Sequence, residues 1–310
     1  METAHGQCRR RAKHETELYR RRAVALNAFA RRIERIFRSV RNTTVWLNRD
    51  CGQPPVASAG CGDRLYSAPW QSNARALWDS CRVNVSIIIP TLNEENRIGQ
   101  AVEWAWANGP HEVLVVDGGS RDETVAVAER QGARVVGGMR GRASQQILGA
   151  REATGDVLLF LHADNLLSPD GVRQIAHVLE NPAVLGGAFR QQIAAPGLLY
   201  RLLERGNALR ARVLGLPYGD QGVFLRRDVF ESLGGFPEVS LMEDLLLMRK
   251  LRRRSRPVLL PGPLRVSPRR WQRYGVVRQT ARNWSLLAAE QLGVSPSSLS
   301  RFYPPHRDGS

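Results

Sequence analysis

Cysteine and lysine are scarce in this chain. The four cysteines, Cys8, Cys51, Cys61 and Cys81, all fall within the first 82 residues, and none forms a CxxC pair. No histidine is spaced from them for a zinc site, so free thiols in a reducing compartment are favoured over a disulfide framework or a zinc module. Lysine occurs only at Lys13 and Lys250, so nearly all the positive charge is arginine. No uninterrupted apolar stretch reaches the length needed to span a bilayer. The start of the chain lacks a basic segment followed by an apolar core, the mark of a secretory signal. The expected location is cytoplasmic.

What is present is charge of one sign. The 310 residues carry 45 Lys+Arg and 29 Asp+Glu, a net charge of +16. Residues 1–82 hold 16 and 7 of these, or +9, and residues 83–310 hold 29 and 22, or +7. Such a balance points to acidic partners: nucleic acid, an anionic membrane or a phosphorylated small molecule. In the first 82 residues, Leu26, Phe29, Ile33, Ile36, Phe37 and Val40 recur at helical spacing with arginines between them. A basic amphipathic helix there would be peripheral to an anionic membrane, the inner membrane if the chain is bacterial. Residues 52–70 are rich in Gly, Pro, Ala and Ser and read as linker. The expected organisation is an extension over 1–82, a catalytic-size domain over 83–303, and a tail over 304–310.

Order begins at Val83. Val85–Ile89 and Val113–Val116 are continuous apolar runs, and so is Val157–Leu161 (VLLFL). Runs of this kind suit strands buried on both faces of a sheet covered by helices. Helices are expected at about 96–107, 123–131 and 143–153, with Asp122 as N-cap of the second, and a short strand at 134–136. Strand and helix thus alternate four times in about 80 residues, which means right-handed βαβ units and a mainly parallel sheet. The polar strand ends Thr91–Glu95, Asp117–Ser120 and His162–Asn165 would converge on one edge, where open α/β sheets bind ligands. Further on, a strand is expected over 184–189 and a helix over 198–214 with arginines on its wet face. Met242-Glu243-Asp244 opens a helix to about Arg253, Val258–Leu260 is a last strand, and Trp271–Leu292 one amphipathic helix.

Five ordered pieces, SIIIPTLNEE (86–95), VLVVDGGSRDET (113–124), GDVLLFLHAD (155–164), the GGF turn (234–236) and MED (242–244), resemble the family 2 glycosyltransferases. The likeness covers about 85–303. It implies a GT-A fold: α/β, a Rossmann-like, mostly parallel sheet flanked by helices, here with a basic N-terminal extension. The wording LHAD, YGDQGVF and SPRRW is similar to a bacterial branch labelled arsenosugar-biosynthesis-type glycosyltransferases.

The resemblance also implies roles. Asp164 matches the last acid of the metal-binding DxD-type motif, with His162 in the place of its first acid. A divalent cation, Mg²⁺ or Mn²⁺, would be held there through oxygen ligands. Asp117 matches the acid that accepts from the uracil N–H. Thr91 and Glu94 match the loop contacting base and ribose, and Arg142 and Gln146 stand at donor-side positions. Asp244 matches the general base of inverting members. Asp220, Gln221, Glu243 and Trp271 are expected on the acceptor side, with Arg269 and Arg270 near the diphosphate. The partners implied are a nucleotide-sugar donor, UDP-linked with GDP as the alternative, and a hydroxyl acceptor. Two readings compete: a sugar-phosphate nucleotidyltransferase, disfavoured by the acidic PTLNEE loop, and a nucleic-acid-binding protein, which lacks any RNP, KH or zinc signature. An inactive fold-mate is a third.

Overall fold

The computed structural model describes residues 83–239, 241–291, 294 and 296–299. The amphipathic helix and linker expected within 1–82, all four cysteines and the 304–310 tail lie outside the described residues. Among those described, no helix is long and apolar enough to cross a membrane.

The alternating first half is as the apolar runs predict. It comprises β1 (Val85–Thr91), α1 (Glu95–Trp106), β2 (Glu112–Asp117), α2 (Thr124–Arg130), β3 (Arg134–Gly137), α3 (Arg142–Glu152) and β4 (Val157–Phe160). β1 pairs in parallel with both β2 and β4, and β2 with β3. Alternate residues enter opposite cores. Ile87, Ile89, Val113, Val115 and Leu159 pack with Ile98 and Val102 of α1 on one face. Ile88, Leu114, Val116, Leu158 and Phe160 pack with Ala150 of α3 on the other. Burial on both faces is why these strands have no polar alternation.

The second half comprises β5 (Asn165–Leu167), α4 (Gly171–Leu179), β6 (Gly186–Ile193), α5 (Leu198–Leu214), β7 (Val223–Arg226), α6 (Arg227–Ser232), α7 (Glu243–Arg254) and β8 (Val258–Val266). It closes with α8 (Arg269–Tyr274), α9 (Val276–Gln291) and the short α10 (Pro296–Leu299). One sheet of eight strands runs in the order β3-β2-β1-β4-β7-β6-β8-β5. Four of its seven pairings are parallel, and the antiparallel ones involve β7 and β5. The doubly covered, mostly parallel sheet agrees with the expected α/β fold.

Three expectations are corrected. The last strand does not stop at Leu260: β8 continues through Pro261 and Pro263 to Val266, and its register against β6 shifts between Phe189 and Gln191, an irregularity that accommodates prolines. The C-terminal helix is two helices, because Gly275 takes φ 79°, a left-handed conformation that ends α8. The arginines of α5 are not simply its wet face. Arg210 lies inside, its Cζ 3.2 Å above the Tyr218 ring, while Leu198, Leu199 and Leu202 are exposed.

Candidate functional site

The three polar strand ends do meet on one edge. Thr91 at the end of β1 lies in register with Asp117 at the end of β2. Asn93, in a left-handed conformation at φ 51°, joins the two loops: its N–H donates to Ser120 Oγ at 2.9 Å, and its Oδ1 accepts from Arg121 N at 2.9 Å. Asp117 Oδ2 accepts from the N–H groups of Gly119 and Ser120, and Oδ1 from the Ser120 hydroxyl. Oδ1, with one such bond, keeps a second acceptor site. Beneath the loop, buried Gln145 Nε2 donates to the carbonyls of Thr91 and Val116 at 2.7 Å each, clamping the strand ends. Beside Asp117 a cavity of about 580 Å³ opens, with Gly119, Gly138 and Ser144 among its walls. That volume lies in the range of small-molecule sites.

Asp164 follows β4, and its carboxylate is answered by an arginine from the far end of the chain. Arg269 Nε lies 3.2 Å from Asp164 Oδ2. The same guanidinium donates from Nη2 and Nη1 to the two oxygens of Glu94, at 2.7 and 3.2 Å. Arg97 reaches Glu94 as well, at 3.1 Å. Burial pushes the Asp164 carboxyl above the ordinary aspartate range, against the pull of Arg269. Burial alone would lower Arg269; the Glu94 hydrogen bonds and the Asp164 charge outweigh it and raise it.

On the other side, Gly219–Gln221 forms a 3₁₀ turn between α5 and β7. Gln221 is fully buried: Oε1 accepts from Tyr218 N and Arg210 Nη2 at 3.1 Å each, and Nε2 donates to Phe189 O at 3.3 Å. It therefore fixes the turn rather than facing a ligand. Asp220 Oδ2 accepts from Gln191 Nε2 at 3.1 Å, while its Oδ1 is buried without a partner. Asp244 enters from α7, whose preceding residue Met242 sits at φ 66°. A bulky residue held there is strained, and such strain clusters at functional sites. Asp244 Oδ2 accepts from the Gly219 N–H, and Oδ1 from Leu245 N at 2.8 Å. Its neighbour Glu243 turns the other way, is buried, and forms an ion pair with Arg142 Nε at the start of α3. Arg270 links the two sides: its charge favours the ionised forms of both Asp164 and Asp220.

Residues 86–233, just under half the chain, match the family model described as glycosyl transferase family 2. Over those residues the chain is similar to the family 2 glycosyl transferases. It is 31% identical over 139 residues to 4,4'-diaponeurosporenoate glycosyltransferase of Staphylococcus aureus, covering 42% of this chain and 37% of that protein. It is 30% identical over 172 residues to glycosyltransferase AglJ of Haloferax volcanii, covering 52% and 53%. The matches thus span about a third to a half of these relatives. Among solved structures it is similar to glucosyl-3-phosphoglycerate synthase from Mycobacterium tuberculosis, with a TM-score of 0.50 and 17% identity, covering 75% of this chain and 88% of that one. That likeness speaks to the fold.

The sequence-predicted residues separate by where they lie. Asp117, Asp164, Glu94, Asp220 and Asp244 border the sheet edge or the turn beside it. Thr91 is buried with its hydroxyl directed at Val116 O, and Gln146 is buried with its Oε1 unpartnered. Trp271 packs on the core with its indole N–H unpartnered. Glu243 and Asp244 lie beyond the matched span. Gln145 and Arg210 are positioning residues that the motifs did not single out; each pattern of helix residues offers several polar candidates and no signal for the inward one. Among the described residues, no group of three or more His, Cys, Asp or Glu could cage a metal ion. A lone Asp164 carboxylate fits a Mg²⁺-like ion that takes most of its oxygen ligands from substrate phosphates and water.

Proposed function

We propose that this chain is an inverting glycosyltransferase that moves a sugar from a UDP-linked donor to a hydroxyl acceptor. The observation carrying the reading is the setting of Asp244, just past the span that matches the family 2 model: its carboxylate accepts from the Gly219 N–H at the acceptor-side turn, and the Arg270 charge acts on both Asp220 of that turn and Asp164.

In this reading the uracil N–H donates to Asp117, next to the 580 Å³ cavity. Asp244 takes the proton from the acceptor hydroxyl as that oxygen forms a bond to the anomeric carbon. A base must come within about 3 Å of the hydroxyl to do so. The bond from the anomeric carbon to the diphosphate oxygen breaks in the same displacement, so configuration inverts and no covalent enzyme intermediate forms. Arg269 and Arg270 supply fixed positive charge where the diphosphate leaves. Asp164 would hold the divalent cation, which when bound adds charge neutralisation at the leaving group.

The test is calorimetric titration of UDP and of GDP, each with Mn²⁺ and with EDTA, on the wild type and on Asp164→Ala. UDP binding that requires Mn²⁺ and is lost in the variant supports both donor and cation. Absence of nucleotide binding under every condition removes the mechanism and leaves a fold-mate without this activity.

A further inference from the structure

The helix α5 has the reverse of an ordinary surface pattern. Its buried residues are Glu204 and Ala211, while Leu198, Leu199, Leu202, Leu209 and Val213 are 71, 53, 50, 41 and 42% exposed. At about 100° per residue, Leu198, Leu209, Leu202 and Val213 fall within roughly 60° of arc, and Leu199 extends it to about 100°. Arg205 and Arg212, both exposed, flank the Leu198 side of that stripe at about 20° and 40°. The only acid of the helix, Glu204, points inward, where Oε1 accepts from Ile193 N at 2.5 Å. An apolar stripe bordered by arginine and free of acids is the composition of a helix that lies in a bilayer interface, apolar side down and guanidinium groups at the headgroups.

We propose that α5 docks this protein on an anionic membrane surface through its outer face. Charge decides the occupant. An anionic headgroup layer is complementary to Arg205, Arg212 and a chain of net charge +16. A second copy would instead set the same arginines against each other. The site is distinct from the basic segment in residues 1–82, and it does not depend on the proposed catalysis. It does have a geometric consequence. The inner face of α5 carries Asn207, which donates to Gln191 Oε1 at 2.8 Å, and Arg210, which donates to Gln221 Oε1 at 3.1 Å. These partners hold the acceptor-side turn, so docking α5 brings that turn to the membrane surface.

Flotation of the full chain with phosphatidylcholine vesicles, with and without phosphatidylglycerol, tests this. Leu202→Gln/Leu209→Gln removes the centre of the stripe, and Arg205→Gln/Arg212→Gln removes its charged edge; circular dichroism establishes that both remain folded. The wild type is expected to partition onto the phosphatidylglycerol vesicles. The leucine variant should lose about tenfold or more in partitioning, and the arginine variant about fivefold to tenfold, on anionic vesicles only. Leucine-variant binding equal to wild type would hand any membrane contact to another surface and overturn the proposal, as would absence of binding by the wild type. A wild-type dimer in solution that the leucine variant converts to monomer would make a second copy the occupant.

Discussion

Arg142 and Glu243 form an ion pair across 101 residues of sequence, tying the first residue of α3 to the first residue of α7. Arg142 borders the loop after β3, and Glu243 precedes Asp244, so one contact couples the helix proposed to line the donor side to the proposed base. The Glu243 side chain is 2% exposed and that of Arg142 is 35% exposed. Removing Arg142 takes this counter-charge from the buried Glu243 carboxylate, and removing Glu243 ends the link between the helices. Glu243→Gln should cost about 1–3 kcal/mol, which is roughly 2–4 °C in Tm for each kcal/mol. A double-mutant cycle with Arg142→Gln by denaturant unfolding should give a coupling well above zero. A strictly additive cycle would show that the pair does not hold the two helices together.

Gly219 and Asp244 are related by space as well as by a hydrogen bond. A Cβ on Gly219 would lie 2.6 Å from Asp244 Oδ2 and 3.3 Å from its Cβ and Cγ. Gly219→Ala must therefore displace the carboxylate. Overpacking of this kind costs about 1–3 kcal/mol, and a misplacement near 1 Å costs about a hundredfold in rate. The expected outcome is a large fall in kcat with UDP affinity unchanged. Gly206→Ala, where a Cβ meets nothing within 4 Å, is the control. It should stabilise α5 by about 0.5–1 kcal/mol. Unchanged kcat in Gly219→Ala would remove Asp244 as the base.

Arg269 lies between Glu94 and Asp164, and a cation held by Asp164 would take up part of the same charge. Arg269→Ala leaves the two carboxylates facing each other, at a cost of about 1–3 kcal/mol. Mn²⁺ should then raise the Tm of the variant by more than it raises that of the wild type, because the ion replaces a charge the wild type already has. Thermal unfolding with Mn²⁺ and with EDTA measures this. Equal increments in the two proteins would show that the ion and Arg269 act at separate places.

The first half of the fold was legible because its strands are buried on both faces. Val85–Ile89, Val113–Val116 and Val157–Leu161 stand out as apolar runs, and their polar ends mark the edge where Asp117 and Asp164 sit. The bounds of α5 could also be read, but its orientation could not. A helical period reports that two faces differ, not which one is inside, and here Arg210 buries its guanidinium against Tyr218 while leucines face out. The contacts that organise the site were illegible for a different reason. Arg269 reaches Glu94 over 175 residues, and Glu243 reaches Arg142 over 101. Such pairings are set by how the sheet closes, not by any local pattern. For the same reason Gln221 looked like a ligand contact in YGDQG although its three hydrogen bonds all stay inside the protein.

Asp220 supplies a prediction with pH. Burial raises its carboxyl above the ordinary aspartate value, Arg210 opposes this, and the nearby Asp244 adds to it. The folded protein therefore holds that proton more tightly than the unfolded chain does. Below about pH 3.9, the unfolded value, both states are protonated and Asp220 is neutral in each. As pH rises from there through the folded value, the unfolded chain releases its proton first, and stability falls. Asp220→Asn cannot titrate, so it escapes this loss, and comparing the two proteins cancels the other groups. The Tm of the wild type minus that of the variant should decline as the pH rises above about 4 and level off once the folded carboxyl has ionised. A difference that is constant with pH would show that the fold does not raise the Asp220 carboxyl, and one that grows in favour of the wild type would show Asp220 ionised in the fold and stabilised by Arg210.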